Sequence, residues 1–213
     1  MITLMPPGVE VAEAHGDLPG ARLLGAEAEA VMRSPAARRL EFATVRHCAR
    51  TALGRLGVPP VPIPRGAAGA PQWPTGVVGS MTHCPGYRAA VAARAGTYLS
   101  LGIDAELHRP LPEGSLRLIA SAAERRHLAE LGGRDPGVHW DALLFAVKES
   151  VYKAWYPLGG TVLGFADAEV AFDPGAGAFR AVLPDHAPMA FEGRWRVVDG
   201  MVRVATVVPF LSQ

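Results

Sequence analysis

The chain has 213 residues, 49% hydrophobic and 19% charged, with a formal net charge of +1. It can therefore bury a full core as one large domain or two small ones, and it carries no general signal for binding nucleic acid. No apolar run approaches a membrane span, and Met1-Ile2-Thr3-Leu4-Met5-Pro6-Pro7 lacks the basic stretch and apolar core of a leader. A soluble, cytoplasmic protein with no membrane and no nucleic-acid partner is the expectation.

Ser34-Pro35 predicts a helix start, a capping serine with proline at the first helical position. Phe42, Val45, Ala49, Ala52/Leu53 and Leu56 then continue at helical spacing to Gly57. On this helix Arg39, Arg46 and Arg50 fall near one stripe with Arg38 beside it, either a solvated basic face or part of an anion site. A proline-rich loop leads to Arg65-Gly66 and Trp73-Pro74, and Val77–His83 predicts a strand running into the turn Cys84-Pro85-Gly86. Tyr87–Ala93 and Thr97–Glu106 predict two further strands joined through Gly96. The two cysteines, Cys48 and Cys84, are far apart and outside any Cys-x-x-Cys spacing, which fits a reducing compartment and argues against a zinc site.

Past Pro110 and Pro112, Ser121-Ala122-Ala123-Glu124 is a capping-box pattern opening a helix that runs to Leu131-Gly132. The next helix spans about Asp141 to Trp155 and stops near Pro157, with Leu144, Val147, Val151 and Ala154 on one face. The clearest later element is a terminal hairpin, Arg194–Val198 and Met201–Val208 about the turn Asp199-Gly200. Each half offers helix followed by strands, so the expected fold class is α+β with two similar lobes, residues 1–106 and 107–213.

Only two lysines occur, Lys148 and Lys153, and both lie in Phe145-Ala146-Val147-Lys148-Glu149-Ser150-Val151-Tyr152-Lys153-Ala154-Trp155. A chain that uses arginine everywhere else keeps lysine where a compact ammonium on a flexible stem is needed, so this segment reads as a site. Glu149 and Lys153 share one helical face, which by itself is equally the pattern of a surface ion pair. In Gly102-Ile103-Asp104-Ala105-Glu106 the carboxylates project from one strand face about 6.5–7 Å apart, a spacing that suits a hard cation, and equally a solvated strand end. Gly79-Ser80-Met81-Thr82-His83 offers hydroxyls and an imidazole at a strand end where glycine permits close approach. No Gly-x-Ser-x-Gly elbow, Walker A loop or Gly-x-Gly-x-x-Gly run is present, so hydrolase-triad, P-loop and dinucleotide-fold readings lack support.

Taken in order, Gly79–His83, Gly102–Glu106 and Phe145–Ala154, with Arg38–Arg50 and Trp73-Pro74, resemble the Sfp-type 4′-phosphopantetheinyl transferases, closest to the high-GC bacterial members. The resemblance covers roughly residues 35–170. It implies two pseudo-symmetric α+β lobes with coenzyme A in the cleft between them, and a monomer that carries one site per chain. The implied reaction moves the phosphopantetheine arm of coenzyme A to a serine of an apo acyl or peptidyl carrier protein, releasing 3′,5′-ADP. By the same resemblance, Asp104, Glu106 and Glu149 bind Mg²⁺ and Lys153 stabilises charge on the phosphates, while Glu149 is also the candidate base. Arg38, Arg46, Arg65 and His83 meet the 3′,5′-ADP half, with Ser80, Met81 and Thr82 beside them, and Lys148 pairs structurally or contacts the cofactor. A pyrophosphate hydrolase using the same carboxylates, or a non-catalytic nucleotide-binding protein, are the competing readings.

Overall fold

The computed structural model describes residues 1–159, 161–183 and 190–210, over which two antiparallel sheets form, each covered by helices. Residues 160, 184–189 and 211–213 of the expected C-terminal lobe lie outside the described residues. The first sheet has the order β1-β3-β2, with β1 at Glu10–His15, β2 at Val77–Cys84 and β3 at Tyr87–Arg94. β1 has no counterpart among the elements predicted from sequence. Its six residues carry only a short apolar alternation, and long-range pairing with β3, from Glu10↔Ala92 to His15↔Tyr87, holds it.

Helix α1, Ala36–Arg55, covers this sheet. Period-two alternation along β3 explains how one strand serves two cores: Ala90 and Ala92 meet Ala49, Ala52 and Leu53 of α1, while Tyr87, Ala89 and Val91 turn to the opposite side. The expected serine cap is not made. Pro35, in an extended conformation, takes the N-cap position, and the Ser34 carbonyl instead accepts a 2.6 Å hydrogen bond from the Arg39 guanidinium.

The second sheet has the order β4-β8-β7-β6-β5, with β4 at Tyr98–Leu107, β5 at Glu169–Asp173, β6 at Ala178–Val182, β7 at Ala190–Val198 and β8 at Met201–Pro209. The β7–β8 turn puts Asp199 and Gly200 at φ 53 and 68, the left-handed pair that an Asp-Gly hairpin requires. Short α2, Ser115–Ile119, leads into α3, Ala122–Arg134, where Ser121 and Glu124 form the reciprocal capping box anticipated from their spacing. Helix α4, Trp140–Gly159, buries Leu143, Leu144, Val147 and Val151 against Val170, Phe179, Val202 and Val204. It runs past the predicted stop. Pro157 sits inside the last turn, where its missing N–H removes only one helical bond.

The sheets meet at β2 and β4. β4 pairs with β8 along one edge, and its other edge meets side chains: Ile103 N–H donates to Ser80 Oγ at 3.0 Å and Ala105 N–H to Thr82 Oγ1 at 3.2 Å. Odd-numbered Leu101, Ile103 and Ala105 enter the core, which leaves Gly102, Asp104 and Glu106 on the face toward α4. At Gly102 the helix backbone comes so close that a Cβ would overlap the Ser150 carbonyl oxygen. Among the described residues no helix is long and apolar enough to cross a membrane.

Gly102→Ala should therefore lower stability by about 3 kcal/mol, because neither β4 nor α4 can retreat without opening a core. Gly96→Ala, with open space around it, should stay within about 0.5 kcal/mol of the parent. Urea unfolding midpoints of the two variants check the contrast.

Candidate active site

A cleft of about 540 Å³ lies where α1, the loop after Arg65, β2, β4 and α4 converge. One end is cationic. Arg38 and Arg46 reach it from α1, Arg65 from the loop and His83 from the end of β2. Arg46 is buried; its Nε donates to the Ile63 carbonyl at 3.2 Å and its guanidinium lies 3.9 Å over the Phe42 ring. Burial, followed by the charges of Arg50, Arg65 and Arg38, pulls its pKa down to about 10, which still leaves it a cation. Arg65 is placed by a tight loop in which Gly66 N–H donates to Ala70 O at 2.7 Å and Gly69, at φ 80, lies against its guanidinium.

The stripe on α1 is thus not one solvated face. Arg39 is exposed, Arg50 donates to both oxygens of buried Glu27 at 2.7 and 2.9 Å, and Arg46 turns into the cleft. His83 Nε2 is 3.0 Å from Arg38 Nη1. Desolvation first, then Arg38, Lys153, Arg88 and Arg46, depresses the imidazole pKa to about 4, so the ring is neutral near pH 7.

The other end is acidic. Thr82 Oγ1 donates to Asp104 Oδ1 at 3.0 Å, and Lys153 Nζ donates to the same oxygen at 2.6 Å and to the Ile103 carbonyl at 3.1 Å. Lys153 makes its ion pair with Asp104 across the fold, not with Glu149 one helical turn earlier, so the surface-pair alternative fails. Asp104 Oδ2 is buried and has no hydrogen-bond partner. Glu106 and Glu149 line the same cleft. Desolvation, then the Asp104 charge, pushes the Glu106 carboxyl up to about 7, and desolvation also raises Glu149. Among the described residues, no three His, Cys, Asp or Glu side chains are placed to hold a metal ion unaided.

Nearly every residue picked from sequence borders this space, Ser80, Met81 and Thr82 among them. The hydroxyls fasten the fold: Ser80 and Thr82 accept backbone N–H groups of β4, and Thr82 spends its own proton on Asp104. Lys148 is not brought into the cleft. It is buried on the far side of α4, where its ammonium donates to Glu124 Oε2 at 2.9 Å and to the carbonyls of Ile119 and Phe165 at 2.8 and 2.7 Å. These three bonds use all its protons, and of the two uses open to Lys148 the geometry gives the structural one. Trp73, Tyr152 and Tyr156, which have no site role on sequence grounds, also line the cleft. The i,i+4 spacing of the tyrosines on the Glu149 face was the available signal, and their rings lie 5.8 Å apart.

The chain matches two family models, the 4′-phosphopantetheinyl transferase N-terminal domain over residues 26–93 and the 4′-phosphopantetheinyl transferase superfamily over residues 100–202. It is 53% identical over 199 residues to the 4′-phosphopantetheinyl transferase Svp of Streptomyces mobaraensis, covering 90% of this chain and 81% of that protein. It is 46% identical over 208 residues to PptT of Mycobacterium tuberculosis (strain ATCC 25618 / H37Rv), 92% of this chain and 91% of the relative. With Npt of Nocardia iowensis it shares 43% identity over 218 residues, 95% and 97% of the two chains. PptT and Npt bear the same transferase designation as Svp.

The buried position of Lys148 has a measurable consequence. Lys148→Met strands the Glu124 carboxylate and should cost about 3–5 kcal/mol of stability. A double-mutant cycle with Glu124→Gln should return a coupling of roughly 1–3 kcal/mol. Denaturant unfolding measures both; a cost within about 0.5 kcal/mol would instead mark Lys148 as a surface group.

Proposed function

The chain belongs to the 4′-phosphopantetheinyl transferase superfamily, and on that premise we propose how its cleft carries the reaction. The enzyme transfers the phosphopantetheine arm of coenzyme A to a serine of an apo carrier protein and releases 3′,5′-ADP. One observation supports our assignment of roles above the others: a single cleft between the sheets has cations at one end and a lysine-bridged carboxylate array at the other. That polarity matches a donor whose 3′,5′-ADP phosphates lie at the cationic end and whose pyrophosphate meets the carrier serine at the acidic end.

Arg38, Arg46, Arg65 and His83 bind the phosphates of the 3′,5′-ADP half, where several charge-assisted hydrogen bonds in a partly desolvated cleft fix its orientation. Phe145, Tyr152 and Tyr156 form an aromatic wall on the α4 side along which the pantetheine arm extends. The serine oxygen bonds to the phosphorus that carries the arm, the bond from that phosphorus to the bridging oxygen breaks, and ADP leaves with the bridging oxygen. Glu149 takes the serine proton, directly or through water; its raised pKa makes it a stronger base than an exposed glutamate. Lys153, poised on Asp104, stabilises negative charge growing on the leaving phosphate.

Asp104, Glu106 and Glu149 fit a hard divalent cation: a buried Asp104 oxygen lacks any partner, and two neighbouring carboxyls are pushed toward their neutral forms. These residues would hold Mg²⁺, which when bound supplies charge neutralisation at the pyrophosphate. An incomplete protein ligand set is compatible with Mg²⁺, because this ion keeps places for substrate phosphates and water. Lys148 is assigned a structural role, and the two proposed lobes, residues 1–106 and 107–213, would meet at this cleft.

The acceptors are acyl or peptidyl carrier proteins, and the protein works as a cytoplasmic monomer without nucleic acid or membrane. Two buried free thiols, Cys48 and Cys84, and a net charge of +1 support that setting.

Glu149→Gln should reduce carrier modification by roughly 100- to 10,000-fold while leaving the melting temperature near that of the parent. Lys153→Arg keeps the charge but changes the donor geometry, and should also lose most activity. Intact mass of a panel of apo carriers incubated with coenzyme A and Mg²⁺ reads both; near-parental turnover in either variant would remove that residue from the mechanism.

In the parent, ADP release should require the carrier and match holo-carrier formation mole for mole. Release without carrier, or with the carrier mass unchanged, would point to hydrolysis instead.

A further inference from the structure

Glu41 lies on α1 one turn from Arg38 and takes no part in the mechanism above, yet its carboxylate joins three groups beside the cationic end. Oε1 pairs with Arg38 and lies 3.6 Å from His83 Nδ1, while Oε2 is 3.5 Å from Nη2 of buried Arg88. Arg88 is the cross-strand neighbour of His83 and is itself fixed by Asp17, 2.9 Å from its Nη2. Asp17, Arg88 and Glu41 thus form a charged chain that ends on His83 and Arg38, residues proposed to meet a phosphate.

The hydrogen-bond roles follow from donor chemistry. A guanidinium only donates, so the contact of Arg38 Nη1 with His83 Nε2 makes that nitrogen an acceptor and puts the ring proton on Nδ1, the side facing Glu41. A phosphate oxygen is also only an acceptor. It can replace Arg38 at Nε2 only if that nitrogen carries a proton, and Glu41 facing Nδ1 favours keeping the proton already there. The ring therefore gains a second proton in preference to changing tautomer.

We infer that Glu41 is a positioning residue for the phosphate site, and that through it His83 takes up a proton as the phosphate of coenzyme A enters. This rests on the assignment of Arg38 and His83 to a phosphate.

The charges around the ring set the sign. Arg38 and Arg46 from α1, Arg88 from β3 and Lys153 from α4 all disfavour the imidazolium, and the carboxylate set against the ring is Glu41, 3.6 Å from Nδ1. A phosphate dianion offsets those cations. The ring is neutral above a pH of about 4 before binding, and its pKa rises on binding. Between the two values binding takes up a proton and strengthens as pH falls; above the upper value the linkage disappears.

Calorimetric titration of the full chain with coenzyme A at a pH of about 6.5, in Mes, Pipes and Bis-Tris, reads the protons taken up from the differing heats of buffer ionisation. Protonation of the free ligand phosphate is common to all variants, and titrating the His83 ring resonance of the parent in the bound state separates ring protonation from that of the bound phosphate. The parent should take up more than His83→Gln, by a difference approaching about one proton. Glu41→Gln should fall with His83→Gln, and Glu41→Asp with the parent. Weaker binding in Arg38→Ala and His83→Gln, with the same proton count in parent, His83→Gln and Glu41→Gln, would overturn the inference. Unchanged affinity in both Arg38→Ala and His83→Gln would instead overturn the phosphate assignment beneath it.

Glu41→Gln also deprives Arg88 of a partner and can fail to fold. In that case the His83 ring resonance of the parent, assigned by its loss in His83→Gln, is titrated with and without coenzyme A. A titration midpoint carried above a pH of about 6.5 by coenzyme A supports the inference, and a midpoint that stays below it rejects it.

Discussion

Two hydroxyls on one strand hold the junction on which this molecule is built. β4 closes the edge of its own sheet, and without Ser80 and Thr82 the N–H groups of Ile103 and Ala105 would be buried with nothing to receive them. An unmet buried donor costs about 1–3 kcal/mol, so the side chains of β2 do here what a backbone ladder does elsewhere. Thr82 then passes its own proton to Asp104, which also receives Lys153 from α4. The atoms that join the sheets and the atoms that build the acidic end of the cleft are the same set. The absence of a side chain at Gly102 completes the arrangement, since it lets α4 settle on β4 closely enough for that lysine to reach.

The cleft is electrostatically unsatisfied in opposite senses at its two ends. Burial and mutual repulsion depress His83 and Arg46 on one side and raise Glu106 and Glu149 on the other. In each case the ionised form is the one disfavoured, so the cationic end gains most from an anion and the acidic end most from a cation. Such preorganised charge is costly in the empty protein. It is also what lets a site hold a polyanionic donor without rearranging at the moment of reaction. The packing that supports it is apolar and continuous, from the Ala-rich contact of α1 with β3 to the Leu and Val face of α4.

Several features were legible in the chain because they depend on local rules. The Ser121–Glu124 capping box, the Asp199-Gly200 turn and the common strand face of Asp104 and Glu106 each follow from spacing and backbone preference. The paucity of lysine pointed to α4, but it could not tell the two lysines apart. A five-residue offset separates Lys148 from Lys153 only as positions on a helical wheel. Which side of the wheel meets β4 and which meets Glu124 is decided by partners far away in sequence. β1 is illegible in the chain for the same reason, since its order comes from β3 more than from its own six residues.

What the sequence by itself determined was the type of each element, the α+β class, and the inventory of chemistry-bearing side chains with their local spacing. These follow from short-range sterics and periodicity, and the ordered motifs carried the family resemblance. Tertiary structure alone decided which side chain serves which partner. It turned Arg46 inward while Arg50 went to Glu27, sent Lys153 to Asp104 while Lys148 went to Glu124, and made Ser80 and Thr82 the fastening between two sheets. It also set Glu41 against His83, a contact spanning two elements that no spacing in the chain announces. Ion pairs and buried hydrogen bonds depend on distances of a few ångströms between segments remote in sequence, and only the packed fold fixes those distances.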